Sequence, residues 1–298
     1  MVSKKSKKIN KSKHNTKSQL QSRTSKNPFA KVAMINCVGN KSKKNQNKSK
    51  SNYITKPTME ITGKKSFSKT GVWREIQFPL SKKMMFVPDT PDTKDSVVAR
   101  AHRNGRSWEP KIAALLTKHA VKGSTAVDMG AYIGTHTMAL IDAVGPTGKV
   151  VTFEPQPWAY KGIKKTLKKN GDKNVKVINA GVSDKKGKIR FCSDASGSSS
   201  VCKERRPSDK WTEVYDIPIV TLDSLKLKNV SVMKVDVEGH ELNTLNGAKN
   251  TLLDSRPVIL LEVWRKRNTR LQDITNFLKS VNYRIKHLSG DDFICFPN

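Results

Sequence analysis

The chain has 298 residues, with 57 Lys and Arg against 25 Asp and Glu, a formal net charge of +32. That length admits one large domain or two small ones. The longest apolar run, Val258 to Val263, is short and interrupted by Glu262, so no transmembrane segment is expected.

Residues 1–56 carry sixteen Lys or Arg and no acid, which is half of the whole excess of positive charge. Lys, Ser and Asn dominate there, and the single apolar patch, Phe29 to Val38, is too short to build a core. Such a composition predicts a disordered arm that binds nucleic acid or anionic surfaces weakly and with strong salt dependence. A nuclear address is a competing reading of the same run, beside a cytoplasmic setting. No secretory signal opens the chain, and the cysteines (Cys37, Cys192, Cys202, Cys295) form no C-x-x-C pair. Cys192 and Cys202 flank a loop, but reduced thiols in a cytosolic setting are the expectation.

Residues 57–106 read as a lead-in with two short strands, Trp73 to Phe78 and Met84 to Val87. The main domain, 107–298, opens with a helix capped by Ser107, with Pro110 in its first turn and Ile112, Leu115 and Leu116 as its buried stripe. Strands then alternate with helices. Strands are expected at Thr125–Met129, Lys149–Phe153, Val175–Ile178, Val232–Val235 and Val258–Val263. Helices are expected at about 135–144, 158–169, from 239 onward and 271–281. Tyr283–His287 and Phe293–Phe296 read as a hairpin around Gly290-Asp-Asp. This alternation predicts an α/β fold, a doubly wound, mostly parallel seven-stranded sheet with an antiparallel C-terminal hairpin. Strand-like pieces at Ile189–Cys192 and Val214–Val220 interrupt it around a Gly/Ser-rich stretch, Ser193 to Ser200. That stretch reads as a substrate loop or a tolerated surface insertion.

The first strand runs into Asp128-Met-Gly130-Ala-Tyr132-Ile-Gly134, and the second ends on Glu154-Pro155. Gly130 and Gly134 let the backbone turn tightly and approach a ligand, and an acid at the next strand end can hold a ribose. The spacing differs from a pyrophosphate-binding Gly-x-Gly-x-x-Gly, and Asp128 disfavours a phosphate. A cofactor with a ribose and an amino-acid end fits, and S-adenosylmethionine is the candidate.

These motifs, with Val182-Ser-Asp184, resemble the class I S-adenosylmethionine-dependent methyltransferases. Thr221-Leu-Asp223, Met233-Lys-Val-Asp-Val-Glu-Gly-His-Glu241, Leu245-Asn-Gly-Ala248 and Pro257-Val-Ile-Leu-Leu-Glu262 narrow the resemblance to the FkbM-type family over roughly residues 120–265. Its members typically O-methylate hydroxyls of sugars and natural products. The resemblance implies that Gly130 and Gly134 admit the methionine end of the cofactor and that Asp128 holds its ammonium. Glu154 would take the ribose hydroxyls, and Asp184, with Ser183 beside it, the adenine amino group. Tyr132 stands where the family often has Asn and would alter the pocket rim.

Lys234, Asp236 and Glu238 alternate along an extended segment and share a face. Charges on a central strand need partners or a function, so this is the candidate active site. Asp236 is the first choice for general base or acceptor orienter, with Glu238 second. Lys234 would pair with these acids or acidify a hydroxyl. His240 titrates near neutrality and is a further candidate base, although a His after Gly239 more often starts a helix near the surface. Glu262 and Trp264 are candidate acceptor contacts, followed by a basic loop to Arg270. Asp236, Glu238 and Glu262 could offer oxygen donors to Mg²⁺, but acids paired with Lys are commoner, and no metal is expected. The leading function is O-methylation of a sugar, glycan or similar hydroxyl acceptor. RNA ribose methylation, or a non-catalytic basic nucleic-acid-binding protein on the same fold, are the alternatives.

Overall fold

The computed structural model describes residues 59–60, 72–89, 96–193, 199–202, 213–264 and 271–298. The basic arm, Cys37, most of the Gly/Ser-rich stretch and the basic loop after Trp264 lie outside these residues.

In chain order the elements begin with β1 (Met59–Glu60) and the hairpin strands β2 (Trp73–Gln77) and β3 (Met84–Pro88), followed by helices α1 (Val97–Arg103) and α2 (Pro110–His119). Then come β4 (Thr125–Met129), α3 (Thr135–Val144), β5 (Lys149–Phe153), α4 (Pro157–Asn170) and β6 (Val175–Ile178). A second set of strands follows: β7 (Gly181–Val182), β8 (Gly187–Ser193), β9 (Ser200–Val201) and β10 (Glu213–Val220). The main alternation resumes with β11 (Val230–Val235), α5 (Glu241–Asn246), α6 (Lys249–Ser255), β12 (Val258–Glu262), α7 (Leu271–Ser280), β13 (Tyr283–Ser289) and β14 (Asp292–Pro297).

Seven strands form the central sheet in the order β13-β14-β12-β11-β4-β5-β6. All neighbouring pairs from β12 to β6 are parallel, and β14 runs antiparallel to both β12 and β13. The strands are near-continuous apolar runs because helices cover both faces. Adjacent residues diverge: Ala126 and Val150 join the core with Ile112, Leu116, Leu140 and Ile163, whereas Val127 and Val151 join Leu245, Leu252, Ile274 and Leu278. One face therefore belongs to α2, α3 and α4, the other to α5, α6 and α7.

The lead-in is not a separate layer. Phe78, Met85, Val87 and Ala99 are fully buried in the first of these cores, and β3 docks on α4 through Phe86 N–H to Thr166 Oγ1 (3.0 Å) and Met84 N–H to Asn170 Oδ1 (2.8 Å). Ser107 does not cap α2. The cap position is Glu109, in the left-handed region at φ 44°, ψ 56°, with Pro110 at the first helical position; Pro supplies the fixed φ that starts the helix and lacks the N–H a cap would satisfy. Asp223, from the Thr221-Leu-Asp223 motif, caps α6 from a distance, accepting from the Asn250 and Thr251 N–H groups and from Thr251 Oγ1.

The interrupting segment builds a second sheet, with β10 between β1 and β8, β9 on β8, and β7 parallel to β10. Alternate residues of β10 (Tyr215, Ile217, Ile219) bury one face of this sheet with Phe191. Cys192 and Cys202 are disulfide-bonded, 5.0 Å apart at Cα, which overturns the expectation of reduced thiols at these positions. Pairing of Cys192 with Ser200 across β8 and β9 brings the two cysteines within bonding reach, a proximity that their ten-residue separation in sequence does not reveal.

Candidate active site

A cavity of about 310 Å³ opens at the carboxyl ends of β4, β5, β11 and β12. The chain runs outward from β4 through β5 to β6, then returns to place β11 on the other side of β4, so the cavity lies at the switch point of the sheet, where such folds bind ligands. Glu154, Lys234, Asp236 and Glu262 line its floor, with Glu109 and His136 beside them. The apolar face of the second sheet, through Phe191, Ile217 and Ile219, closes another side.

Glu154 is built in by local backbone geometry. It follows β5, is 2 % exposed, and receives the Tyr132 N–H on Oε2 (2.6 Å) and the Gln156 N–H on Oε1 (2.7 Å). Asn179 Nδ2 fixes the preceding chain by donating to the carbonyls of Glu154 and Pro155. Burial pushes the Glu154 carboxyl up to about 8, against the pull of the two N–H donors and with help from the charges of Asp128 and Asp236. Each carboxylate oxygen keeps a lone pair for a further donor.

Gly130 has a more specific reason than ligand approach. A Cβ there would lie 1.7 Å from the carbonyl oxygen of Asp236, at φ +89°, so glycine lets the first loop close onto the end of β11. Asp236 N–H completes the contact by donating to the Met129 carbonyl (3.0 Å). Tyr132 takes a left-handed φ of 50°; its hydroxyl donates to Ser96 Oγ (2.7 Å), and its ring stands edge-on to Trp158.

Lys234, 5 % exposed, donates to Asp236 Oδ2 (2.6 Å). Burial alone would lower its ammonium, but the carboxylates of Asp236, Glu109 and Asp128 outweigh burial and hold it above the usual Lys range. Glu262 is pushed up to about 10 by burial and by Asp236, with Lys234 opposing. It is therefore an uncharged carboxyl at neutral pH, able to donate a hydrogen bond. Glu238 lines the same cavity from a left-handed turn at φ 56°.

The remaining expected residues fall in different places. His240 lines the cavity, but it is 4 % exposed rather than at the surface, and its Nε2 lies 2.9 Å from Ser183 Oγ. Ser183 is buried behind it and also donates to Asp184 Oδ1. Asp184 itself is exposed and outside the cavity lining. Asp128 is fully buried below the lining, with Thr137 Oγ1 on Oδ2 (2.5 Å) and no partner on Oδ1. Gly134 caps α3 at φ 90° away from the lining, and Trp264 stands in the wall with Glu262.

Among the lining residues that the sequence did not single out are Trp108, Glu109 and His136. Glu109 Oε2 is 2.9 Å from His136 Nε2. The two are 27 residues apart, and nothing local marks either; only Glu109's place before Pro110 and His136's place two residues after Gly134 hint at them. Glu109, Tyr132 and Glu238 are non-glycine residues held in the left-handed region. Such strain gathers where a site dictates backbone geometry.

The strand order and the cleft at the switch point define a class I methyltransferase fold. Residues 128–285 match the family model described as the methyltransferase FkbM domain, and the chain belongs to that family. Among curated proteins it is similar to hexuronic acid methyltransferase AglP of Haloferax volcanii, with 29 % identity over 158 residues, or 51 % of this chain and 61 % of that protein. The chain thus spans about three-fifths of that relative's length. Among solved structures it is similar to a methyltransferase FkbM from Methylobacillus flagellatus (18 % identity, 67 % of this chain, 52 % of that one, TM-score 0.44). It is also similar to a putative O-methyltransferase from Klebsiella pneumoniae (16 % identity, 71 % and 92 %, TM-score 0.43). Among the described residues, no helix is long and apolar enough to cross a membrane, and no cluster of His, Cys, Asp and Glu suits a metal ion.

Proposed function

We propose that this chain transfers a methyl group from S-adenosylmethionine to a hydroxyl of a sugar or similar acceptor. The observation that carries the reading is one cavity holding a buried Glu154 at the end of β5 and the Lys234–Asp236–Glu262 group at the ends of β11 and β12. The AglP relative, named for methylation of a hexuronic acid, supports a sugar acceptor.

The residues fit the cofactor. Glu154 would accept from the two ribose hydroxyls, using the lone pairs its N–H partners leave. Pro155, Val182 and Ile219 supply apolar wall for a base. The carboxylates of Asp236 and Glu238 favour a cationic end. When bound, S-adenosylmethionine supplies an electrophilic methyl group. On the acceptor side, Glu262 donates to an acceptor oxygen, Lys234 holds Asp236 in one orientation, and Trp108 and Trp264 offer faces to a sugar ring. Positioning of this kind supplies much of the acceleration in a group transfer.

The test is calorimetric titration of S-adenosylmethionine and S-adenosylhomocysteine into the full chain and into Glu154→Ala. Methyl transfer from labelled cofactor to free and glycosidically linked hexoses and hexuronic acids follows. Micromolar binding that Glu154→Ala abolishes is the expected result; a folded protein that binds neither nucleoside refutes the proposal.

A further inference from the structure

We infer that the side-chain amide of Gln156 holds the base of the cofactor, donating from Nε2 to the adenine ring nitrogen N3. The inference rests on the methyltransferase reading above and deepens it.

Gln156 stands between two prolines, in Glu154-Pro155-Gln156-Pro157. Neither proline has an N–H, and the Glu154 N–H is spent on the Ile178 carbonyl (3.0 Å). Any donor that this turn offers a ligand must therefore come from Gln156. The residue immediately precedes α4, is 3 % exposed and lines the cavity. Its hydrogen-bonding groups can be counted one by one. The backbone N–H donates to Glu154 Oε1 (2.7 Å), and the carbonyl accepts the Tyr160 N–H in the first turn of α4 (2.9 Å). The side chain does not cap the helix. Its Oε1 accepts from Ser193 Oγ (3.3 Å), which itself accepts from Ser199 Oγ (2.9 Å). That chain of hydroxyls fixes which end of the amide faces the strands of the second sheet. Nε2 is what remains. It has no partner among the described residues, and it is not one of the unpartnered polar atoms sealed inside the fold. The Tyr215 hydroxyl on nearby β10 is one of those sealed atoms and cannot reach a ligand. A donor held this way on a buried side chain favours a ligand that brings an acceptor.

The position of the amide selects the base rather than the methyl end. Two residues before it, Glu154 is placed for the ribose hydroxyls. Beyond it, β8 and β9 fix the amide through Ser193 and Ser199, and the same strands give Phe191 and Val201 to the apolar wall that Ile217 and Ile219 continue. A nucleoside with its ribose on Glu154 and its base on that wall turns N3 towards the gap between them, because N3 flanks the bond to the ribose. N3 only accepts, so a carboxylate cannot meet it. Among the described side chains that β7, β8, β9 and β10 contribute to the lining, all are apolar. Ser199, just before β9, is committed to Ser193.

The test needs no methyl acceptor. S-adenosylhomocysteine and its 3-deaza analogue, in which a C–H replaces N3, are titrated calorimetrically into the full chain and into Gln156→Leu. The titrations are run at pH 9, where Glu154 is mostly ionised. Wild type should bind the 3-deaza analogue about tenfold more weakly than the parent. Gln156→Leu should bind the parent about tenfold more weakly than wild type does, and should no longer distinguish the two ligands. Wild-type affinities within about twofold of each other overturn the inference, because the amide then presents its oxygen or serves the ribose. A Gln156→Leu protein that keeps the full preference for the parent overturns it too. The two wild-type titrations decide even if Gln156→Leu does not fold. A folded protein that binds neither ligand overturns the methyltransferase reading and this inference with it, whereas equal binding of both overturns only this one.

Discussion

Replacing Glu154 by Gln should change how stability depends on pH, and the size of the change follows from where the carboxyl sits. At 2 % exposure the group needs no discount for solvent screening, and burial raises it from an ordinary 4.5 to about 8. The folded protein therefore keeps a proton that the unfolded chain releases above pH 4.5, so the stability this group contributes at low pH is lost as pH rises towards 8. At 1.36 kcal/mol per pKa unit, full ionisation costs about 5 kcal/mol, of which about 3.5 kcal/mol falls between pH 5 and pH 8. Gln does not titrate. Its amide meets one of the two N–H donors with an NH₂ group, a penalty of about 1–3 kcal/mol, but that penalty is the same at every pH. Urea unfolding of wild type and Glu154→Gln at pH 5, 6, 7 and 8 isolates the titration. The variant should gain about 3.5 kcal/mol on wild type across the series. A difference constant to within about 0.5 kcal/mol would show that Glu154 is solvated or ionised throughout, and would refute the reasoning. The same ionisation governs ligand binding. Adenosine, whose hydroxyls need the carboxylate, should bind up to about tenfold more tightly per pH unit between 6 and 8 and then level off, while 2′,3′-dideoxyadenosine should show no such trend.

Four further outcomes are expected. Lys234→Met strands several carboxylates around a buried position and should cost about 3–5 kcal/mol in chemical denaturation. Glu262→Gln should change stability at pH 7 by less than about 1 kcal/mol, because the carboxyl is already uncharged there; a loss of 3 kcal/mol would mean that it carries a charge. Gly130→Ala places a Cβ against the Asp236 carbonyl at φ +89° and should cost about 3 kcal/mol or more, read as a lowered urea midpoint with unchanged slope. Opening the Cys192–Cys202 bridge, by reduction or by the double serine variant, should lower stability by about 2–3 kcal/mol, as expected for a loop closed over a ten-residue separation. Equal thermal midpoints with and without reductant would count against that.

Much of the sheet was legible because each parallel strand is buried on both faces and so reads as an apolar run punctuated by Gly, Pro or Asn. Thr125–Met129, Lys149–Phe153 and Val175–Ile178 have the bounds the sequence suggested. Glu154 was legible for the same reason: an acid directly after an apolar strand, before Pro155, has few structural uses. Where a residue's meaning lay in a partner far along the chain, the sequence was silent or misleading. Asp184 sits in a motif, yet its carboxylate turns to solvent and to Ser183. His240 looks like a surface helix start until Ser183, 57 residues earlier, is seen to engage it. Asp223 enters the sequence reading only as part of a motif that carries the family resemblance, and it proves to be the remote cap of α6.

By itself the sequence determined the order of strands and helices, the identity of the loop that follows the first strand, and the acids at the strand ends, because hydrophobic periodicity and backbone-permissive residues act over a few positions. Tertiary structure decided which of those acids are charged. Burial and neighbouring charge set Glu154 and Glu262 apart from Glu109, and neither can be read along a chain. It also decided the contacts that span long separations: Gly130 against Asp236, Cys192 bonded to Cys202, and Glu109 holding His136. These pairings exist only once the sheet has closed and the elements on its two faces have been fixed in place.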